Sequence, residues 1–234
     1  LKSIGKANWR RCTPEMLRLM EQARQEGIRI ACDVYPYTAG STQLVHVLPP
    51  ECQQGGLEAL TRNLADASFR EMLKNRMLTG SDFENISLLV GFENIVVSSV
   101  PQNDLRRYEG RSITSIADEQ GKDPFTCLFD LLQVAHCDVT MIDFITDEAD
   151  IDAILQDAHS CVISDSTYPT TGMLHPRVYG TFTTLLEHFV REKQVLSVEA
   201  AVQKCTGRPA AVMGLRQKGV LAPGMDADVN IFDL

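Results

Sequence analysis

The sequence lacks several features that would place it in other classes of protein. Its seven cysteines are odd in number and none forms a C-x-x-C pair, so neither a disulfide framework nor a zinc ribbon is predicted. No stretch approaches the roughly 20 apolar residues that a membrane-spanning helix requires. We therefore expect reduced thiols in a cytoplasmic protein and no membrane partner.

Basic residues are also fewer than acidic residues. The chain has 22 Lys and Arg against 31 Asp and Glu, which gives a formal charge of -9. A surface of that sign repels a phosphate backbone, so nucleic acid is excluded as an expected partner. With 44% hydrophobic and 23% charged residues, the 234-residue chain has the composition of a soluble globular protein. Its length allows one barrel-sized domain or two small ones.

Histidines are too few and too scattered to form a recognisable metal motif. No two of them have the H-x-H or H-E-x-x-H spacing, so this sequence contains no complete metal site. His136 and His159 precede predicted strands, where position in a barrel favours stability rather than catalysis. His188 is predicted to lie on a helix surface, and His175 lies on the loop described next.

The most informative stretch is 161–182, CVISDSTYPTTGMLHPRVYGTF. A short apolar strand ends at Asp165, and the loop that follows carries His175, Arg177 and Tyr179. A carboxylate at a strand end can bind a divalent cation or accept a proton from metal-bound water. Ser-Asp-Ser followed by Thr-Tyr-Pro could also be only a turn. Because this loop carries a His, an Arg and a Tyr within a few residues, we interpret it as part of a functional site.

Strand-like and helix-like segments alternate along the rest of the chain, which predicts an α/β fold with parallel pairing. The end of a strand is expected in 1–9, and Thr13 with Pro14 signals a helix start. Strands are predicted at 28–32, at ISLLV and NIVVSSV within 83–101, from Val139, and at 161–164. Helices are predicted within 55–78, 111–137, 147–155, 182–195 and 198–206, with two short β runs in 216–234.

Several of these segments match one family. Six segments occur in the order found in N-acyl-D-amino-acid deacylases. They are LKSIGKANW, DVYPYTAGST, DFITDEADIDAIL with VISDS, HPRVYGTF, LSVEAAVQKCTGRPAAVMGL and KGVLAPGMDADVNIFD. The chain therefore resembles the D-aminoacylase family of the amidohydrolase superfamily nearly end to end. The last segment is shared by many amidohydrolases, whereas DVYPYTAGST and HPRVYGTF are specific to a much smaller group of proteins. Members commonly read Gly-Ser-Asp-Gly where this chain has Ile163 to Ser166.

The resemblance implies the carboxyl-terminal half of a TIM-like (β/α)8 metal-dependent hydrolase barrel, with terminal strands of a small β domain. Residues 1–215 would form the partial barrel, with an inserted segment around 50–110, and 216–234 the returning strands. The chain opens within a motif and is expected to be a piece of a longer protein. Such a piece would expose unpaired strand edges and be poorly stable and inactive alone.

The resemblance also implies roles for individual residues. Asp165 matches the general base and is a candidate zinc ligand, while the main Cys and His ligands are expected before Leu1. The substrate carboxylate would be held by residues matching Lys2, Tyr35, Ser41 and Arg177; His175 and Tyr179 are candidates on the active-site loop. Taken singly, Arg177 could instead form a surface salt bridge, Lys2 could be solvated, and Tyr35 with Tyr37 could be packing residues in a strand-to-helix loop.

The expected reaction is zinc-dependent hydrolysis of the amide bond of small N-acyl-D-amino acids. Hydrolysis of cyclic amides, or of N-acyl-D-Glu and N-acyl-D-Asp, is the alternative within the enzymes. A noncatalytic truncated paralogue is the alternative outside them. The sequence predicts neither the oligomeric state nor the number of metal ions.

Overall fold

The computed structural model describes residues 1–167 and 171–234, which form a mixed α/β structure. The strands are β1 (Cys32–Val34), β2 (Ala39–Gln43), β3 (Ile95–Ser99), β4 (Thr140–Phe144) and β5 (Ser160–Val162). The α-helices are α1 (Cys12–Gln25), α2 (Gly56–Asn63), α3 (Ala67–Thr79), α4 (Ile86–Val90), α5 (Ile113–Gln120), α6 (Pro124–Val134), α7 (Glu148–Gln156), α8 (Arg177–Thr184), α9 (Val198–Cys205) and α10 (Gly207–Met213). A π-helix, Leu185–Glu192, continues α8, and short 3-10 turns follow β2 and precede β3.

The strands form two small sheets of different type. β1 and β5 pair in parallel, with Asp33 opposite Cys161, which confirms the predicted parallel pairing for these two strands. β2, β4 and β3 form an antiparallel sheet in that order. The predicted parallel pairing is wrong for β3 and β4, which pair antiparallel, and most of β2 falls within 33–42, which reads as a polar loop in the sequence. That the two sheets are parts of a TIM-like barrel stays a prediction.

Helix boundaries follow the capping residues where these were clear in the sequence. Asp123 caps α6 by accepting from the amides of Phe125 and Thr126, and Pro124 occupies the first helical position. Gly121 ends α5 in the left-handed conformation, with φ 63°. The break at Gly121 and the restart at Asp123 are therefore confirmed. Asp147 likewise caps α7.

Several predicted elements and boundaries are wrong. The strand predicted at 28–32 forms at Cys32–Val34, and the helix predicted from 182 begins at Arg177. ISLLV, predicted as a strand, is helix α4, because Asn85 caps it and also donates to the carbonyls of Met77 (2.6 Å) and Gly80 (3.1 Å). Thr13, predicted as an N-cap, lies inside α1, which begins one residue earlier. Its buried hydroxyl instead bonds that of Ser3 at 2.6 Å. No strand forms in 1–9, where this contact ties the loop carrying Lys2 to α1.

Two apolar clusters hold the elements together. The larger packs the segment after β2 and helices α2, α3, α5 and α6 against β3 and β4, with Leu48, Leu64 and Phe129 among its buried members. The smaller covers the parallel pair with α7, α9 and the π-helix, around Val34 and Phe189.

The two β runs predicted in 216–234 do not form strands, and side chains there are largely exposed, including Leu221 at 77% and Ile231 at 97%. The amide of Asp226 donates to the carbonyl of Gln217 at 2.9 Å, but one such bond between the two runs is not the ladder of a strand pair. The division into a barrel and a small β domain stays a prediction. Among the described residues, no helix has the length and apolar character needed to cross a membrane.

Candidate active site

Four of the predicted site residues meet at one cleft of about 710 Å³. Lys2, Ser41, Asp165 and Arg177 all line it, although they come from four separate parts of the chain. A smaller adjoining cavity of about 190 Å³ is lined by Tyr35 and shares Lys2 and Asp165 with the main cleft. A cleft of this size suits a small molecule rather than a macromolecular partner.

Arg177, the first residue of α8, is the most constrained of these side chains, at 3% exposure. Its Nη1 donates to Oδ2 of Asp165 at 3.0 Å, and its Nη2 donates to the backbone carbonyl of Ser41 at 2.9 Å. Its guanidinium carbon lies 4.8 Å from the centre of the Tyr35 ring. The buried Nε has no hydrogen-bond partner. The surface salt bridge considered for Arg177 is therefore wrong, because this arginine is buried.

Asp165 lies three residues beyond β5, with its carboxylate open to the cleft. Its side chain is 52% exposed, and its φ of 48° places the residue in the left-handed region, which Asp tolerates better than most residues. This backbone conformation turns the chain away from the strand immediately after the carboxylate. The turn considered for Ser-Asp-Ser and Thr-Tyr-Pro includes 168 and 169, which lie outside the described residues.

Tyr35 lies close to both cations of the cleft. Lys2 Nζ is 4.7 Å from the centre of the Tyr35 ring, and the guanidinium carbon of Arg177 is 4.8 Å from the same point. The Tyr35 hydroxyl is buried without a hydrogen-bond partner, and this burial raises the pKa of Tyr35, opposed by the charge of Lys2. The hydroxyl therefore remains protonated and available as a donor beside two positive charges.

His175 supports Arg177 from behind rather than facing the cleft. It is 3% exposed, its Nε2 donates to the carbonyl of Ala39 at 3.0 Å, and its Nδ1 accepts from the backbone amide of Arg177 at 3.0 Å. These partners require the neutral ring, and burial lowers the pKa of His175 to about 4. The ring packs edge-on against Tyr37, with centroids 5.2 Å apart.

Tyr179, like Arg177, was predicted on a loop, and this is wrong because both lie on helix α8. Tyr179 is 76% exposed and lines neither cavity. A role for Tyr179 in the active site stays a prediction. Ser41 is buried on β2, and its carbonyl rather than its hydroxyl is the group that contacts Arg177.

Sequence reasoning missed Asp143 on β4. This carboxyl group lines the main cleft, is 4% exposed, and has no hydrogen-bond partner on Oδ1. Burial raises the pKa of Asp143, while Lys2 and Arg177 oppose the rise. A lone acidic residue within the apolar run VTMIDFIT was the available signal, because a strand buried on both faces seldom carries an unpaired charge.

The described residues alone do not form a zinc site. Across 1–167 and 171–234, no group of three or more His, Cys, Asp or Glu side chains is close enough to hold a metal ion. Asp165 can contribute one oxygen from the mouth of the cleft, but a zinc ion requires about four ligands.

Comparison with known proteins matches this architecture to one family. The model described as "Amidohydrolase family" matches residues 105–234. The chain is 29% identical over 233 residues to the N-acyl-D-glutamate deacylase of Alcaligenes xylosoxydans xylosoxydans, covering 99% of this chain and 38% of that protein. It is 30% identical over 234 residues to the D-aminoacylase of the same organism, again over 99% of this chain and 38% of the relative.

A solved structure agrees with the sequence matches. The N-acyl-D-glutamate deacylase of Bordetella bronchiseptica, complexed with zinc and a phosphonate mimic of the tetrahedral intermediate, superposes with a TM-score of 0.70 at 27% identity. The superposition covers 97% of this chain and 38% of that one. The chain thus spans about 38% of the length of these relatives. These matches confirm the D-aminoacylase resemblance seen in the sequence, and the chain belongs to the amidohydrolase family.

Proposed function

We propose that the protein hydrolyses the amide bond of N-acyl-D-amino acids, releasing a carboxylate and a free D-amino acid. The observation that carries the proposal is the meeting of Lys2, Tyr35 and Arg177 with the carboxylate of Asp165 in two adjoining cavities. The names of the relatives agree, since they include D-aminoacylase and N-acyl-D-glutamate deacylase.

The two cations and the tyrosine form a carboxylate clamp. Arg177 presents a planar fork of donors, which suits the two oxygens of a substrate α-carboxylate. Lys2 adds a second positive charge, with its Nζ 4.7 Å from the centre of the Tyr35 ring. The unpartnered Tyr35 hydroxyl supplies a further donor. Holding the α-carboxylate at a fixed point decides which enantiomer directs its amide towards Asp165.

Asp165 is the proposed general base. Its carboxylate lies 3.0 Å from Arg177, so a substrate held by the clamp has its scissile amide within reach of Asp165. A carboxylate in this position takes a proton from the attacking water and delivers it to the leaving amine. His175 holds the backbone of Arg177 in place and takes no part in proton transfer in this scheme.

Zinc is the proposed cofactor, by analogy with the zinc-bound N-acyl-D-glutamate deacylase. When bound, it would lower the pKa of a water molecule and polarise the amide carbonyl. We propose that Asp165 is one ligand and that Cys and His residues outside this chain supply the rest. This chain alone would then lack a complete zinc site and be inactive. A zinc-binding measurement on the isolated chain tests whether the zinc site is incomplete.

Three features of the proposal rest on the family as well as on this chain. The sheets described above are proposed to belong to the carboxyl-terminal half of a TIM-like barrel, and 216–234 to a small β domain completed by other residues. A cytoplasmic location is proposed from the reduced cysteines, all seven of which are free. The substrate is a small molecule, in keeping with the cleft volume.

Two alternative functions make different predictions. Another amidohydrolase reaction, on a cyclic amide or on N-acyl-D-Glu or N-acyl-D-Asp, would use the same base with a different specificity pocket. The N-acyl-D-glutamate deacylase relatives favour the second of these. A noncatalytic paralogue would bind ligand without zinc and without turnover.

The deciding experiment measures amine release from paired N-acetyl-D- and N-acetyl-L-amino acids by the full-length protein, with zinc and then with a chelator. Zinc-dependent release from the D series alone is the expected result. Release from neither series by a zinc-loaded protein would indicate another substrate. Absence of both release and bound zinc would contradict the proposal and favour the noncatalytic paralogue.

A further inference from the structure

Asp143 lines the cleft and carries a buried carboxyl oxygen that has no hydrogen-bond partner. The side chain is 4% exposed and Oδ1 makes no hydrogen bond, although the residue lines the main cleft. Burying a carboxyl group without a partner is costly, so such groups are normally paired in folded proteins. The unused oxygen therefore points to a partner supplied by a ligand.

Gly40 keeps the space beside this oxygen open. Gly40 lies directly opposite Asp143 in the β2–β4 ladder and also lines the cleft. A Cβ atom on Gly40 would lie 2.7 Å from Oδ1 of Asp143, well inside contact distance. Its next neighbours would be the side chain of Ile145 at 3.1 Å and the Tyr35 hydroxyl at 3.4 Å. Only glycine at this position leaves the Asp143 oxygen undisturbed.

A cation is the ligand that suits this oxygen. The basic side chains that line the cleft are Lys2 and Arg177, and neither hydrogen-bonds to Oδ1 of Asp143. Both are already assigned to the α-carboxylate of the substrate. A substrate ammonium or guanidinium group can donate to the Asp143 carboxyl group, whereas a second substrate carboxylate has no proton to donate and repels it.

The rest of the wall suits the methylene chain of a long basic side chain. Phe83, Ile86 and Ile145 line the same cleft as Asp143. Long basic side chains pack their methylene groups along apolar surface and place the charged end on a polar group. The cleft thus offers an apolar wall followed by a buried acceptor.

We propose that Asp143 determines substrate specificity by accepting a hydrogen bond from a cationic side chain, so that N-acyl-D-amino acids of the lysine and arginine type are preferred. This inference rests on the proposed function and names its substrate class. Asp143 contacts the substrate side chain and takes no part in bond cleavage. Acidic substrates of the N-acyl-D-glutamate type are disfavoured.

The test compares N-acetyl-D-lysine with N-acetyl-D-norleucine, which has the same carbon chain and lacks the ammonium group. We expect the full-length zinc protein to favour the lysyl substrate at least tenfold in kcat/KM, and N-acetyl-D-glutamate to be the poorest of the three. Asp143→Asn should reduce the lysyl-to-norleucyl ratio about tenfold or more, because the bond to a charged partner is weakened.

Two further variants separate specificity from folding. Glu84→Gln removes a charge from the exposed rim of the same cleft and should change the ratio by less than about threefold. Gly40→Ala keeps Asp143 but crowds its oxygen, and should lower the lysyl preference even if Asp143→Asn fails to fold. Thermal melting of each variant identifies any that do not fold.

Calorimetric binding of the same compounds distinguishes failure of the inference from failure of the proposed function. If no substrate is hydrolysed, yet the lysyl compound binds more tightly and loses that advantage in Asp143→Asn, the hydrolytic function is refuted and the inference stands. A wild-type protein that prefers norleucyl or glutamyl compounds overturns the inference. Equal losses for lysyl and norleucyl compounds in both Asp143→Asn and Gly40→Ala would also overturn it.

Discussion

Nη1 of Arg177 lies 3.0 Å from Oδ2 of Asp165, which joins the proposed clamp and the proposed base in one ion pair. The two partners differ sharply in environment, since the arginine side chain is 3% exposed and the aspartate side chain 52%. Arg177 is also fixed by the Ser41 carbonyl and by His175, whereas Asp165 has no second anchor among the described contacts. The arginine is therefore the fixed member of the pair, and the carboxylate is the member that can reorient towards a substrate.

Replacing the proposed base should stop turnover without preventing binding. In the full-length protein we expect Asp165→Asn to lower kcat by roughly 100- to 10,000-fold, the usual contribution of general acid–base catalysis. The dissociation constant for substrate should change little, because the clamp remains. Steady-state kinetics and calorimetry measure the two quantities. Glu187→Gln, an exposed acid-to-amide control, should have near wild-type kinetics, and a fully active Asp165→Asn enzyme would refute the assignment.

Replacing Arg177 of the clamp should weaken substrate binding more than it slows turnover. Arg177→Met is expected to raise KM about 10- to 100-fold, the loss typical of a hydrogen bond to a charged group, with a smaller effect on kcat. Arg177→Lys should recover little, because an ammonium group cannot span Asp165 and the Ser41 carbonyl as the guanidinium does. The exposed Arg191→Met serves as the control. An unchanged KM in Arg177→Met would exclude the clamp.

The buried His175 should make stability depend on pH. Its pKa is lowered from 6.5 to about 4 in the folded protein, so the unfolded state binds a proton more readily between these values. The stabilisation is present above pH 6.5 and is lost as the pH falls towards 4, by up to about 3 kcal/mol. Urea unfolding at pH 7 and pH 5 measures the loss. His175→Gln should show a shallower decline over this range, and parallel declines would contradict the prediction.

The cap of α6 can be tested without touching the site. Asp123→Ala removes the side chain that accepts from the amides of Phe125 and Thr126, and should lower the free energy of unfolding by about 1 kcal/mol. Asp123→Ser keeps a capping oxygen while removing the ion pair with Lys74. If the cap is the important interaction, the serine variant should retain most of the stability. Equal losses in the two variants would assign the effect to the ion pair instead.

The sequence by itself determined the features whose causes are local. The α5–α6 break follows from Gly121 and from the cap at Asp123, which act within a few residues of themselves. Asp165 could be placed after a strand because an apolar run ends abruptly in front of it. Family resemblance then singled out Lys2, Tyr35, Ser41 and Arg177, and the structure brings all four to adjoining cavities.

Only the tertiary structure decided how those residues are arranged. Arg177 reaches the Ser41 carbonyl across 136 residues of sequence, and His175 reaches Ala39 across the same separation. No local pattern encodes such contacts, because they depend on how distant strands and helices pack. The same packing makes β2 a strand, although its polar sequence reads as a loop, by pairing it with β4. It also buries Asp143 opposite Gly40, since a side chain's solvent exposure is fixed by its neighbours in space rather than in sequence.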